Sequence, residues 1–150
     1  MRDRILQSVK DAMKSGNKPR LATLRLVTAA IKDRDLALPA GSVPDTVGES
    51  EILSLLQKMV KQRRESITLY KDANRQDLVD QEAFEIAIIE EFLPRQMSDG
   101  DLRKAITGVI GELGLSGLKD MGKAMGALKE RFTGQMDFAK ANGVVKELLK

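Results

Sequence analysis

One stretch, residues 48–94, constrains the fold more than any other part of the chain. Between Gly48 and Pro94 there is no other glycine or proline, and apolar residues recur at helical spacing on both sides of a polar break at residues 74–77. This pattern predicts a long helix, a tight turn and a second helix that ends before Pro94, since a residue that precedes proline disfavours helical geometry. We expect Asp77 to cap the second helix.

A single cation lies inside the apolar stripe of the first of these helices. Arg63 follows Met59 by one turn and precedes Ile67 by one turn. A buried guanidinium needs a partner, because an unpaired buried charge costs several kcal/mol. Glu82 and Glu85, three residues apart, share a face of the next helix. We therefore predict an ion pair between Arg63 and Glu85 or Glu82 across the hairpin, with a polar functional pocket as the alternative.

The remaining chain also reads as helix and carries no strand-like alternation. Apolar stripes predict two helices before the hairpin and three after it, and a loop at residues 36–47 that contains Pro39, Gly41 and Pro44. The fold class is therefore all-α. We expect an N-terminal helical domain, residues 1–94, centred on the antiparallel hairpin, a short linker at 95–97, and a C-terminal three-helix bundle at 98–150.

Composition excludes several kinds of chemistry. The chain has no cysteine and no histidine, so it lacks the commonest general base and the commonest metal ligands. It has no phosphate-binding glycine loop and no nucleophile elbow. The glutamates of the fourth helix are best read as a solvated face. We predict no catalytic residue, no metal and no cofactor. With no apolar run of membrane-spanning length and no signal-peptide pattern, a cytoplasmic location is the expectation.

Charge is distributed unevenly along the chain. Residues 1–34 carry nine Lys and Arg against three Asp, whereas residues 35–95 carry seven basic and twelve acidic residues. Two readings fit: helical layers that attract one another, or a basic face for a polyanion. The cations of the third helix are more typical of a solvated face.

The segment from Asp120 to Gly126 has two glycines four residues apart, Gly122 and Gly126. Such a pair is most typical of close helix packing. Alternatively it lets a phosphate backbone approach, with Lys119 and Lys123 adding charge. The chain has few aromatic residues for base stacking, so any RNA would be recognised by shape and phosphate contacts.

Several short motifs together resemble the YqeY family. They are Lys61-Gln62-Arg63-x-x-Ser66, Arg75-x-Asp77-Leu78, Glu82-x-x-Glu85, Phe92-Leu93-Pro94 and Asp120-Met121-Gly122-Lys123-x-Met125. The likeness covers nearly the whole chain, with Phe92 where the family usually has tyrosine. That family is similar to the C-terminal helical and tail portion of GatB, a subunit of the glutamine-dependent tRNA amidotransferase, where the tail helps grip tRNA.

The resemblance implies binding of tRNA or structured RNA without catalysis, with phosphates contacted by four cations of the C-terminal bundle: Lys119, Lys123, Lys129 and Arg131. Two alternatives stay open. The chain could be a component of an amidotransferase, a carbon–nitrogen ligase with glutamine as amido donor, that acts only with partner subunits. It could also be a helical scaffold for protein interactions.

Overall fold

The structure, a computed structural model, describes residues 1–150 and confirms the all-α fold. Seven α-helices are present and no strand. Their bounds are α1 Arg2–Ser15, α2 Lys18–Leu36, α3 Glu49–Asp72, α4 Gln76–Glu90, α5 Asp99–Leu113, α6 Met121–Phe132 and α7 Phe138–Leu148. A single 3₁₀ turn, Leu118–Asp120, precedes α6. No helix combines the length and the apolar character that crossing a membrane requires.

The chain divides into two compact units, residues 1–93 and 94–150. The first contains α1 to α4 and the second α5 to α7. Each has its own cluster of buried apolar side chains, which are mostly aliphatic, as the scarcity of aromatic residues requires. Residues 95–97, the expected linker, lie in the second unit, where the backbone N–H of Met97 donates to the carbonyl of Gln135 at 2.9 Å.

Helices α1 and α2 form the first hairpin of the N-terminal unit. Gly16 ends α1 with a left-handed backbone, φ 71°, where a Cβ would be strained. The side chain of Asn17 then accepts from the backbone N–H of Arg20 and caps α2. Because only two residues separate the helices, they pack against each other in antiparallel fashion.

Helices α3 and α4 form the second hairpin and pack along each other. Asn74, with φ 55°, makes the turn between them. The expectation that Asp77 caps α4 is wrong, because the N-cap is Arg75 and no side chain caps this helix. Asp77 lies in the first turn and instead accepts two hydrogen bonds from Arg75, at 3.0 and 3.1 Å.

Candidate nucleic-acid interface

Two helix caps define the start of α5 and α7 in the C-terminal unit. The hydroxyl of Ser98 accepts from the backbone N–H of Asp101 at 3.1 Å. The carboxylate of Asp137 accepts from the N–H groups of Ala139 and Lys140. Serine and aspartate are residue types that favour the N-cap position of a helix. Between these two helices in the chain, α6 packs on α5 and α7 and buries Ala124 and Leu128.

The opposite face of α6 carries Gly122, Gly126 and Lys129, which share one side of the helix at spacings of four and three residues. All three are exposed. A Cβ built on either glycine would meet no atom within 4 Å. The packing interpretation of this glycine pair is therefore wrong, since no neighbouring element requires the missing side chains.

The four cations predicted to contact phosphate differ in their partners. Lys119, Lys123 and Lys129 are exposed and form no ion pair. Arg131 instead makes two hydrogen bonds to Glu112 of α5, at 2.7 and 3.2 Å. These bonds raise the pKa of Arg131 and lower that of Glu112. The three lysines are the free cations of this set, and we call Lys119, Gly122, Lys123, Gly126 and Lys129 the α6 face.

In the N-terminal unit, the Nε of Arg63 donates to Glu85 at 3.0 Å, and both side chains are about 85% buried, with exposures of 15% and 13%. The Nη1 of Arg63 also donates to the carbonyl of Met59 at 3.2 Å. Burial raises the pKa of Glu82, and the charge of Glu85 adds to the effect while Arg63 opposes it. This cluster holds α3 to α4 and leaves no buried polar side-chain atom without a partner.

A second polar cluster lies where α1 and α2 meet the loop that precedes α3. Arg2 donates two hydrogen bonds of 3.0 Å to the carboxylate of Asp35. The backbone N–H of Val47 donates to the same carboxylate at 2.8 Å, and the carbonyl of Val47 accepts from Arg2. These bonds lower the pKa of Asp35, that from Arg2 most strongly. Beside them is a pocket of about 290 Å³, lined by Arg2, Ile5, Leu6, Thr28, Ile31, Lys32 and Asp35.

Helices and polar clusters together define a two-unit, all-α protein in which partly buried ion pairs fasten helices, while Lys119, Lys123 and Lys129 form no ion pair. The family follows from comparison with known proteins. Residues 2–149 match the model of the family described as Yqey-like protein, so the chain belongs to the YqeY family.

Two relatives extend the comparison. A protein of Pyrenophora tritici-repentis, named Altered inheritance of mitochondria protein 41, mitochondrial, is 30% identical over 139 residues, which cover 85% of this chain and 71% of the relative. An uncharacterised protein of Schizosaccharomyces pombe is 30% identical over 95 residues, which cover 63% of this chain and 73% of the relative.

Proposed function

We propose that this protein binds a structured RNA, of which tRNA is the leading candidate, through the α6 face of its C-terminal unit. The observation that carries the proposal is that two glycines with open space at the Cβ position, Gly122 and Gly126, share an exposed surface with three lysines that form no ion pair. A glycine inside a helix destabilises it by roughly 0.5–1 kcal/mol relative to alanine. Because other helical glycines of this unit have the same open space, the role proposed for Gly122 and Gly126 rests on their combination with the three lysines.

The charges of the α6 face favour a polyanion. Lys119 and Lys123 lie on one side of the glycine pair, and Lys129 continues its stripe. Lysine is a compact cation with three donors that suits phosphate oxygens. A phosphate backbone that crosses the helix at the glycines would have all three lysines within reach of its neighbouring phosphates. Glu130, beside Gly126, limits the positive charge at one edge of the face.

The ligand class follows from the side chains that the face offers. The α6 face contains no aromatic residue on which a base could stack and no arginine fork for a base edge. Phosphate contacts fix register and orientation and do not read sequence. Folded RNA with a defined backbone path suits such a face better than a single strand. The similarity of the family to the tRNA-gripping tail of the amidotransferase supports tRNA as the candidate.

The experiment measures affinity for unmodified tRNA by fluorescence anisotropy between about 50 and 200 mM salt. Binding through phosphates predicts that the logarithm of affinity falls linearly with the logarithm of salt. The triple variant Lys119→Ala/Lys123→Ala/Lys129→Ala should bind more weakly and should lower the salt slope by about three, one per phosphate contact. Lys58→Ala/Lys61→Ala/Lys71→Ala, which removes three exposed lysines from α3, is the matched control.

Two results would count against this function. One is the absence of tRNA binding at the lowest salt. The other is an equal loss of affinity in the α6 and α3 variants, which would show that overall charge, and not the α6 face, sets the affinity. Competition with a single-stranded RNA of the same length tests the ligand class, because the proposal expects the single strand to compete poorly.

A further inference from the structure

The pocket beside Arg2 lies between the first two helices, with Leu6 contributed by α1 and Lys32 by α2. Met13 follows Leu6 by seven residues, and Arg25 precedes Lys32 by seven, so each pair shares one helix face. Because the helices are antiparallel, these two faces run side by side, and we infer a groove that continues from the pocket along the hairpin. At 1.5 Å per residue, the 14 residues of α1 give a length of about 21 Å.

Apolar side chains from both helices contribute to the lining of the groove. Leu6 and Met13 are 46% and 55% exposed, which is high for large apolar side chains. Ile5 and Ile31, which line the pocket, belong to the core and close it from below. Exposed apolar side chains that border a concave surface are typical of an interaction site.

The rim of the groove is positively charged. Lys10, Lys14, Arg25 and Lys32 are exposed, and none of them forms an ion pair. The carboxylate of Asp35 does not offset them, because Arg2 already holds it through two hydrogen bonds. Asp3, Asp11 and Asp33 are the other acidic residues of these two helices and are also exposed, so the four cations of the rim exceed them by one.

We propose that this groove binds an amphipathic helix of a partner protein, with apolar residues of the partner against Leu6 and Met13 and acidic residues toward the four cations. Charge complementarity selects the acidic partner, and the apolar walls select a helix over RNA, which has no apolar side chains to bury in the pocket. Helix-in-groove binding uses anchors at i, i+3, i+4 and i+7, and a helix of about 14 residues would span the groove. The inference is independent of the RNA binding proposed for the other unit.

The probe is a dye-labelled synthetic peptide of 16 residues with leucine at helical spacing on one face and glutamate on both flanks. The comparator has lysine in place of every glutamate. Titrated with the full chain at low salt, the glutamate peptide should bind at least about tenfold more tightly than the lysine peptide, and the difference should shrink as salt rises. Backbone amide signals of α1 and α2 should shift in an NMR titration.

Variants separate the charged from the apolar part of the site. Arg25→Glu/Lys32→Glu should reverse the preference between the peptides, whereas Lys58→Glu/Lys61→Glu, the same charge change on α3, should leave it unchanged. Leu6→Ser should weaken the glutamate peptide at least fivefold with the chain still folded by circular dichroism, because Leu6 is half-exposed and contributes little to the core.

Each alternative occupant has its own signature that would overturn the proposal. Equal binding of the two peptides, or no binding at millimolar concentration, would rule out an acidic helix as the occupant of the groove. Full affinity of Leu6→Ser reduces the contact to non-specific ion pairing. Self-association that Arg25→Glu/Lys32→Glu abolishes would assign the groove to a second copy of this chain, and protection of Arg25 and Lys32 by tRNA would assign it to RNA.

Discussion

Substitutions of Gly122 and Gly126 test whether the α6 face contacts RNA. Neither glycine has a left-handed backbone, so alanine fits both positions without strain. Each of Gly122→Ala and Gly126→Ala should therefore raise the free energy of unfolding by about 0.5–1 kcal/mol, measured by urea denaturation. If a phosphate backbone approaches here, the same substitutions should lower tRNA affinity although they stabilise the protein.

Two other glycines serve as controls for these opposite effects on stability and on tRNA affinity. Gly108 and Gly143 also lie inside helices of the C-terminal unit with no atom within 4 Å of an added Cβ. Gly108→Ala and Gly143→Ala should stabilise to a similar degree and leave tRNA affinity unchanged. An equal effect of all four substitutions on affinity would contradict a role of the α6 glycines in RNA contact.

The titration of Asp35 should affect the stability of the N-terminal unit. Its pKa lies below the ordinary value of 3.8 because Arg2, and then the N–H of Val47, bond the charged form. A lowered pKa in the folded state gives stability that is present above the unfolded value and is lost as pH falls through the folded one. Asp35→Asn should therefore lower the urea midpoint at pH 7, and the difference from the parent should shrink between pH 4 and pH 2.

Asp45→Asn is the matched control, since Asp45 is an exposed loop residue outside the ion pairs of this unit. It should leave the urea midpoint unchanged at every pH. A deficit of Asp35→Asn that stays constant down to pH 2 would mean that packing or amide geometry, and not the carboxylate charge, is responsible.

At the scale of elements, much of the α3–α4 hairpin could be read from the sequence because helical periodicity and a lone cation in an apolar stripe both depend on local spacing. The partner of Arg63 could be narrowed only to Glu82 or Glu85, since the choice depends on how α4 is rotated about its axis. The same limit applies to α6. Gly122 and Gly126 have both apolar and charged neighbours in the sequence, so spacing alone did not distinguish a packed face from a solvated one. The bond between Arg131 and Glu112 spans two helices and left no local signal.

The Arg63–Glu85 pair should contribute measurably to the hairpin. Arg63→Met removes one partner and leaves the carboxylates of Glu82 and Glu85 uncompensated, which should cost about 2 kcal/mol of unfolding free energy. Arg63→Met/Glu85→Leu should recover part of that loss, because replacement of a buried pair by apolar residues is often close to neutral. Urea denaturation of the single and double variants gives the coupling energy.

The exposed pair between Arg64 and Glu90 is the comparison. These side chains are 63% and 39% exposed. Arg64→Met should cost less than about 0.5 kcal/mol, as is usual for a surface ion pair. Similar costs for the two arginines, or no coupling between residues 63 and 85, would show that the Arg63 pair does not fasten the hairpin.

At the scale of the whole molecule, the excess cations of the first 34 residues fall into two groups, those in ion pairs and those without a partner. Part of it forms ion pairs within the N-terminal unit, where Arg20 bonds Glu91 and Arg34 lies 3.7 Å from Glu51. The remainder is the set of unpaired cations on α1 and α2. The two readings of the sequence, attracting layers and a free basic face, thus apply to different residues of the same helices. Which residue belongs to which set depends on helix rotation, and composition carries no information about it.

The division at residue 93 allows the two proposed surfaces to be separated. A fragment of residues 94–150 contains the whole α6 face and its own core. Fifty-seven residues bury a small core, so we expect this fragment to be helical and marginally stable. It should bind tRNA with a salt slope like that of the full chain, whereas a fragment of residues 1–93 should bind the glutamate peptide and not tRNA. Anisotropy and circular dichroism on both fragments are the measurements.

If the 94–150 fragment is only marginally stable, a failure to bind tRNA would be ambiguous. Gly108→Ala/Gly143→Ala introduced into the fragment removes that ambiguity, because these substitutions stabilise helices away from the α6 face. A stabilised, helical 94–150 fragment that fails to bind tRNA while the full chain binds would place part of the RNA contact in the N-terminal unit. The basic rim of α1 and α2 would then be the first surface to test, since it carries four exposed cations that form no ion pair. Binding by the fragment at full affinity would leave that rim free for the acidic helix.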